Sequence, residues 1–199
     1  MKSVIDSEAS AGTVGINAGT VVRKAGMKDI HPILILINSY ASQGAMLPRT
    51  EFEMSENIRD FSVAYENGRL IGCGALHFYT PTSAEVRSLA VDPELKARGI
   101  GRLIIEDLER EAVEQGLHAI FAFTYVPEFF RKLGFQEVER GELPLKAWKD
   151  CLRCPKFQCC DEIPVLKALV PDPILAPGPD PSGFLIQLPQ LSTRKNNRN

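Results

Sequence analysis

Val91-Asp92-Pro93-Glu94-Leu95-Lys96-Ala97-Arg98-Gly99-Ile100-Gly101-Arg102 reads as the end of a strand, a turn, and a helix opened by glycines. Upstream, Glu85-Val86-Arg87-Ser88-Leu89-Ala90-Val91 alternates and is partly β-branched, as a half-buried strand should be. Downstream, Ile100, Leu103, Ile104, Leu108 and Ala112 fall at helical spacing, which predicts an amphipathic helix running to about Gln115. Two glycines in its first turn let the backbone approach a ligand and leave amide N–H groups without helical partners. Orphan donors at the positive end of a helix dipole suit a phosphate. Lys96, Arg98 and Arg102 add charge beside them. An ordinary tight turn is the plainer reading, and the surrounding order of elements argues against it.

The pattern departs from the dinucleotide fingerprint, which has three glycines and an acidic residue roughly 20 positions on. It also lacks the Gly-Lys-Ser/Thr of a nucleotide P-loop. The 199 residues, 44% hydrophobic and 24% charged, have a globular composition. A net charge of -2 argues against general nucleic-acid binding. The longest apolar run, Ile33-Leu34-Ile35-Leu36-Ile37, is far short of the roughly 18 residues of a membrane span. The N-terminus shows no apolar signal core, so a cytoplasmic location with reduced cysteines is expected.

Working outward, residues 1–19 are small and polar and are read as disordered, and residues 20–25 suit a first strand. Asp29 is expected to cap a helix carrying Ile33, Leu34 and Ile37 on one side. A second helix is expected over residues 51–58. Strands at 61–65 and 70–77 flank Asn67-Gly68, a strong hairpin signal. After the glycine-opened helix come a strand at 118–124, a short helix at 127–133 stopped by Gly134, and a strand at 135–140. From residue 171 prolines crowd the chain, and the segment to 199 is read as an extended or disordered tail.

Lys96-Ala97-Arg98-Gly99-Ile100-Gly101 resembles the acyl-coenzyme A pyrophosphate loop of the GNAT acetyltransferases, with Lys96 where Gln or Arg is usual. The order of elements is also similar to that fold over about residues 20–145. The resemblance implies an α+β domain spanning residues 20–170, with a mixed, mostly antiparallel central sheet flanked by helices. Within it, residues 144–162 form a cysteine-rich segment. Narrower likenesses lie in Gly44-Ala45-Met46-Leu47-Pro48-Arg49-Thr50, Ile71-Gly72-Cys73-Gly74-Ala75-Leu76-His77, residues 85–91, and Phe129-Phe130-Arg131-Lys132-Leu133-Gly134-Phe135. Leu143-Pro144-Leu145-Lys146-Ala147-Trp148 is a further one. These resemble bacterial N-acetylglutamate synthases of the short form, which lacks the kinase-like domain of the long enzymes. The implied reaction moves an acetyl group from acetyl-CoA to the α-amine of L-glutamate in a ternary complex, opening arginine biosynthesis.

Glutamate carries two carboxylates, and guanidinium forks bind carboxylates in a bidentate way. The resemblance places a carboxylate ligand at Arg49, and Arg87 on the central strand is a second candidate. Long-form enzymes have another arginine just after the fifth strand, where this chain has Tyr125. Glu85 matches the family's proposed general base, acting through a water on an ammonium that must lose a proton. Amides near Leu89 are expected to stabilise the oxyanion, and Leu89, Ala90 and Val91 to pair with the pantetheine arm. Amides from Ala97 through Arg102 are expected on the pyrophosphate. Many superfamily members place a tyrosine four residues before the Gly-Phe pair to protonate the leaving thiolate. Phe130, a candidate coenzyme contact, stands there, leaving Tyr125, Ser88 or water to supply that proton.

Cys151, Cys154, Cys159 and Cys160 include one Cys-x-x-Cys half of a zinc site, but adjacent cysteines make a poor second half. Reduced thiols near the substrate pocket are the favoured reading, with no metal. The expected partners are a small-molecule substrate and neither nucleic acid nor membrane; a homodimer is compatible. Two alternatives stand beside the lead: the same chemistry on another amino acid or small amine, and a non-catalytic acyl-CoA-binding regulatory module.

Overall fold

The computed structural model describes residues 19–143, 154, 156 and 159–175. A sheet of seven strands runs in the order β1-β2-β3-β4-β5-β7-β6. The strands are β1 (Thr20–Lys24), β2 (Phe61–Glu66), β3 (Arg69–Thr80), β4 (Ser83–Val91), β5 (Ala119–Thr124), β6 (Gln136–Glu137) and β7 (Ile163–Ala168). Every neighbouring pair is antiparallel except β4 with β5. Four α-helices accompany it: α1 (Ile30–Ala41), α2 (Glu51–Asn57), α3 (Ile100–Glu114) and α4 (Pro127–Arg131). This is the mostly antiparallel α+β architecture expected. Among the described residues no helix is long and apolar enough to cross a membrane.

Side-chain alternation divides the core between the two sheet faces. Leu76, Ala84, Val86, Ile120 and Ala122 pack with Ile104, Ile105 and Leu108 of α3. Phe61, Val63, Cys73 and Ala75 pack with Ile33 and Ile37 of α1 and Met54 of α2. A Cβ on Gly72 or Gly74 would come within 2.8 Å of Ile104. These two glycines therefore let α3 lie close on β3. The Asn67-Gly68 turn has φ of 49° and 77°, as a type I′ hairpin needs.

Three expectations are corrected. Asp29 precedes α1 but does not cap it with its side chain. Its carboxylate instead accepts from both terminal nitrogens of Arg23 (2.8 and 2.9 Å), from the Gly26 amide and from the Tyr65 hydroxyl. The strand expected over 135–140 shrinks to Gln136–Glu137. The third correction is β7, which the sequence reading did not foresee; it lies between β5 and β6 and pairs with both. Residues 171–175, at the start of the expected tail, follow the domain closely enough for the Ile174 amide to donate to His118 Nδ1 at 3.3 Å. The readings of residues 1–18 and 176–199 lie outside the described residues.

Candidate active site

The site forms where the sheet splits. β4 and β5 pair in parallel through Ser83 with Ala119, Ala84 with Ile120, and Glu85 with Phe121, and their pairing ends there. Beyond that point β4 stays paired to β3 as far as Val91, and β5 to β7 as far as Thr124. Both strands are held on their outer sides while their facing edges part. Backbone groups along such edges are obligatory hydrogen-bonding groups, so the gap suits a ligand that carries amides of its own.

A bulge shapes β4 along this gap. Ala75 stands opposite Arg87 and Cys73 opposite Ala90, so Gly74 alone spans Ser88 and Leu89. Ser88 adopts φ of 53°, a left-handed conformation uncommon for a residue with a side chain. Ala84 and Val86 face α3 before the bulge, and Leu89 and Val91 face it afterwards. The shift in alternation turns the strand's backbone at the expected oxyanion position. The Val91 carbonyl also accepts from the Tyr40 hydroxyl at 2.6 Å, fixing the end of β4 to α1.

The glycine loop completes the floor. Ala97 and Gly99 have φ of 67° and 83°. The first bond into α3 runs from the Leu103 amide to the Gly99 carbonyl, so the amides of Ile100, Gly101 and Arg102 precede the helical ladder. A Cβ on Gly101 would stand 3.2 Å from the Phe129 ring, a tight contact that the ring would have to yield to by a few tenths of an ångström. Left-handed turns, a helix N-terminus and a shielded glycine together fit a pyrophosphate. The three cations are deployed differently. Arg98 grips Glu66 with both nitrogens, at 2.9 and 3.1 Å. Lys96 lies over the Tyr40 ring at 5.2 Å, and Arg102 stands 3.9 Å from Glu106 on its own helix.

On the face opposite α3, β4 presents Glu85 and then Arg87. Glu85 is 1% exposed, between His77 on β3 and Phe121 on β5 in register. Arg87 lies 3.9 Å from Asp60 Oδ2, and the same oxygen accepts from His77 Nδ1 at 2.7 Å. Tyr79 packs edge-on against His77. Glu85 and Arg87, two residues apart on β4, thus share one face of the strand. The sequence reading missed Asp60 and His77. The alternation of β3 could have pointed to His77, since it shares a face with Ala75.

Arg49 stands in the α1–α2 loop, its backbone clamped by Asn38, which accepts from its amide at 3.0 Å and donates to its carbonyl at 3.1 Å. Thr50 then starts α2 with a reciprocal capping box to Glu53. Tyr125 is 41% exposed, and its hydroxyl accepts from Lys156 Nζ at 3.3 Å. Partial burial pushes its phenol above the usual range. Phe130, a candidate coenzyme contact, is 4% exposed, edge-on to Phe129 and Phe135. Cys151 lies outside the described residues; Cys154, Cys159 and Cys160 are free thiols, with Cys160 Sγ 3.8 Å from Glu162.

Residues 28–135 match the acetyltransferase (GNAT) family. An uncharacterised N-acetyltransferase of Chlorobaculum tepidum is 43% identical over 152 residues, covering 76% of this chain and 98% of that protein. An amino-acid acetyltransferase of Mycobacterium tuberculosis is 35% identical over 136 residues, 67% of this chain and 78% of that one. The structure of N-acetylglutamate synthase from Neisseria gonorrhoeae with coenzyme A and N-acetyl-glutamate superimposes with a TM-score of 0.70 at 28% identity. That likeness covers 78% of this chain and 36% of the gonococcal chain.

Proposed function

The chain belongs to the GNAT acetyltransferase family and is an acyltransferase, and we propose that its acceptor is the α-amine of L-glutamate and its donor acetyl-CoA. The observation that carries this reading is the position of Glu85. It is the last residue at which β4 pairs with β5, so it stands at the apex of the gap. A carboxylate there is within the sheet, shielded from bulk water, and beside the point where β4 and β5 part.

Acetyl-CoA supplies an activated acetyl thioester when bound. The amides of Ile100, Gly101 and Arg102 would hold its pyrophosphate, and the parted edges of β4 and β5 its amide-bearing arm. Glu85 takes the proton that the acceptor ammonium must lose, directly or through a water; such a base contributes about 10²–10⁴-fold. The amide at the Ser88 and Leu89 bulge donates to the carbonyl oxygen as charge develops there. A thiol pKa of about 8.5 makes the departing thiolate a fair leaving group. Ser88 and Tyr125 are the candidate proton donors to it. Arg49 and Arg87 bind the acceptor's carboxylates.

In this role the chain acts on the amino group of a free amino acid in the first step of arginine biosynthesis. The test is thiol release from acetyl-CoA with each of the common amino acids in turn. Glutamate is expected to be preferred, and equal rates across the set would overturn the assignment.

A further inference from the structure

One side chain outside the glycine loop and outside the sheet touches both. The ammonium of Lys96 lies 5.2 Å from the centre of the Tyr40 ring, and the Tyr40 hydroxyl donates to the Val91 carbonyl at 2.6 Å. That carbonyl has a defined direction. The Asp92 amide donates to the Ile71 carbonyl at 2.9 Å, and bonded and non-bonded pairs alternate along an antiparallel ladder. The backbone groups of Val91, opposite Gly72, therefore turn away from β3 and toward the side where β5 has parted from β4. Tyr40 is itself well anchored as the penultimate residue of α1, packed against the apolar cluster of α1, α2 and β2. Its own carbonyl accepts from the Gln43 and Ala45 amides, each at 3.1 Å.

We propose that Tyr40 is a positioning residue for the coenzyme, fixing the span between the two halves of its site. This rests on the reading of the parted β4 edge as the seat of the amide-bearing arm and of the glycine loop as the seat of the pyrophosphate. The hydroxyl of Tyr40 holds the first of these and its ring the second, by way of Lys96. Arm and pyrophosphate are covalently joined in coenzyme A, so binding in one half makes binding in the other intramolecular. The gain from that linkage depends on how well the spacing of the two halves is fixed in advance. Tyr40 thus acts through Val91 and Lys96, by holding them at one separation.

The test compares a ligand that spans both halves with one that fills a single half. Coenzyme A carries arm and pyrophosphate, and pantetheine carries the arm alone. Dissociation constants are measured by calorimetry for coenzyme A and by NMR chemical-shift titration for pantetheine, so no acceptor is needed. Tyr40→Phe keeps the packed ring and removes only the bond to Val91. It should weaken coenzyme A binding by about fivefold, the scale of one hydrogen bond, and pantetheine binding by less than about twofold. In a Lys96→Met background the tie is already cut at its other end, and Tyr40→Phe should then change coenzyme A binding by less than about twofold. A hydroxyl that is merely structural, or that serves the arm alone, would weaken both ligands by the same factor, which would overturn this inference alone. Equal affinity of Gly101→Asp and wild type for coenzyme A would overturn the pyrophosphate reading and this inference with it.

Discussion

Arg98 lies on the glycine loop yet spends its guanidinium on Glu66, at the end of β2, through two hydrogen bonds of 2.9 and 3.1 Å. The loop before α3 is thereby tied to the β2–β3 hairpin, and Arg98 acts as its strut rather than as a free cation for phosphate. The pair draws the Glu66 carboxyl below its usual range and the Arg98 guanidinium above. Arg98→Ala and Glu66→Gln should each weaken acetyl-CoA binding by about two- to fivefold, the scale of an exposed ion pair. The double variant should be no weaker than either single one, because both remove one contact. Calorimetric titration checks this; additive losses would show that Arg98 touches the coenzyme itself.

Gly101 presents a sharper case. A Cβ there meets the Phe129 ring at 3.2 Å, and a carboxylate would also oppose the pyrophosphate proposed to bind there. Gly101→Asp should reduce acetyl-CoA affinity by more than about a hundredfold, combining lost space with like-charge repulsion. Unchanged affinity by calorimetry would remove the loop from the coenzyme site.

Glu85→Gln keeps the shape of the side chain and removes the proposed base. Its kcat should fall by about a hundredfold or more with KM for acetyl-CoA little changed. The residual rate should climb with pH as free amine becomes abundant, whereas a purely structural effect would be flat in pH.

Asp29 governs acid stability. Its carboxyl is held down to about 2, chiefly by the Arg23 hydrogen bonds and further by the Gly26 amide and Tyr65. An unfolded aspartate titrates near 3.9. The folded-state advantage is therefore complete above about pH 4 and is lost as pH falls toward 2, with a size of about 2 kcal/mol. Urea denaturation should show Asp29→Asn less stable by roughly this amount at pH 7. The gap between the two proteins should close as the pH is lowered from 4 to 2.

Cysteine reactivity should divide by burial. Cys73 is buried beneath α1, and desolvation pushes its thiol up to about 12. At pH 8 iodoacetamide should modify Cys159, which is exposed, and leave Cys73 intact until the protein is unfolded. Peptide mass mapping reads the outcome.

The sequence made the glycine loop and its strand and helix legible because their signals are local: alternation, helical spacing and two glycines. The Asn67-Gly68 hairpin was legible for the same reason. β7 was not, because Ile163-Pro164-Val165 opens on a proline next to an irregular segment and earns its strand only by pairing with β5 and β6. The role of Asp29 was misread since an acceptor before a helix is a sound cap locally, and only the fold brings Arg23 and Tyr65 to it. Asp60 and His77 were overlooked for a related reason. They lie 17 positions apart, and no spacing rule joins the end of a 3-10 turn to the middle of a strand.

A sheet ordinarily exposes unpaired strands at its rim, where proteins guard them with charge or bulges. Here the parting of β4 from β5 beyond Glu85 puts two such strands in the middle of the sheet. A ligand that bonds to both of these edges must present donors and acceptors as a peptide does. Inhibitors of this enzyme should therefore gain more from a pair of correctly spaced amides than from any charged mimic of phosphate. Their binding should be registered as slowed amide hydrogen exchange along residues 87–91 and 122–124, at a distance from the glycine loop.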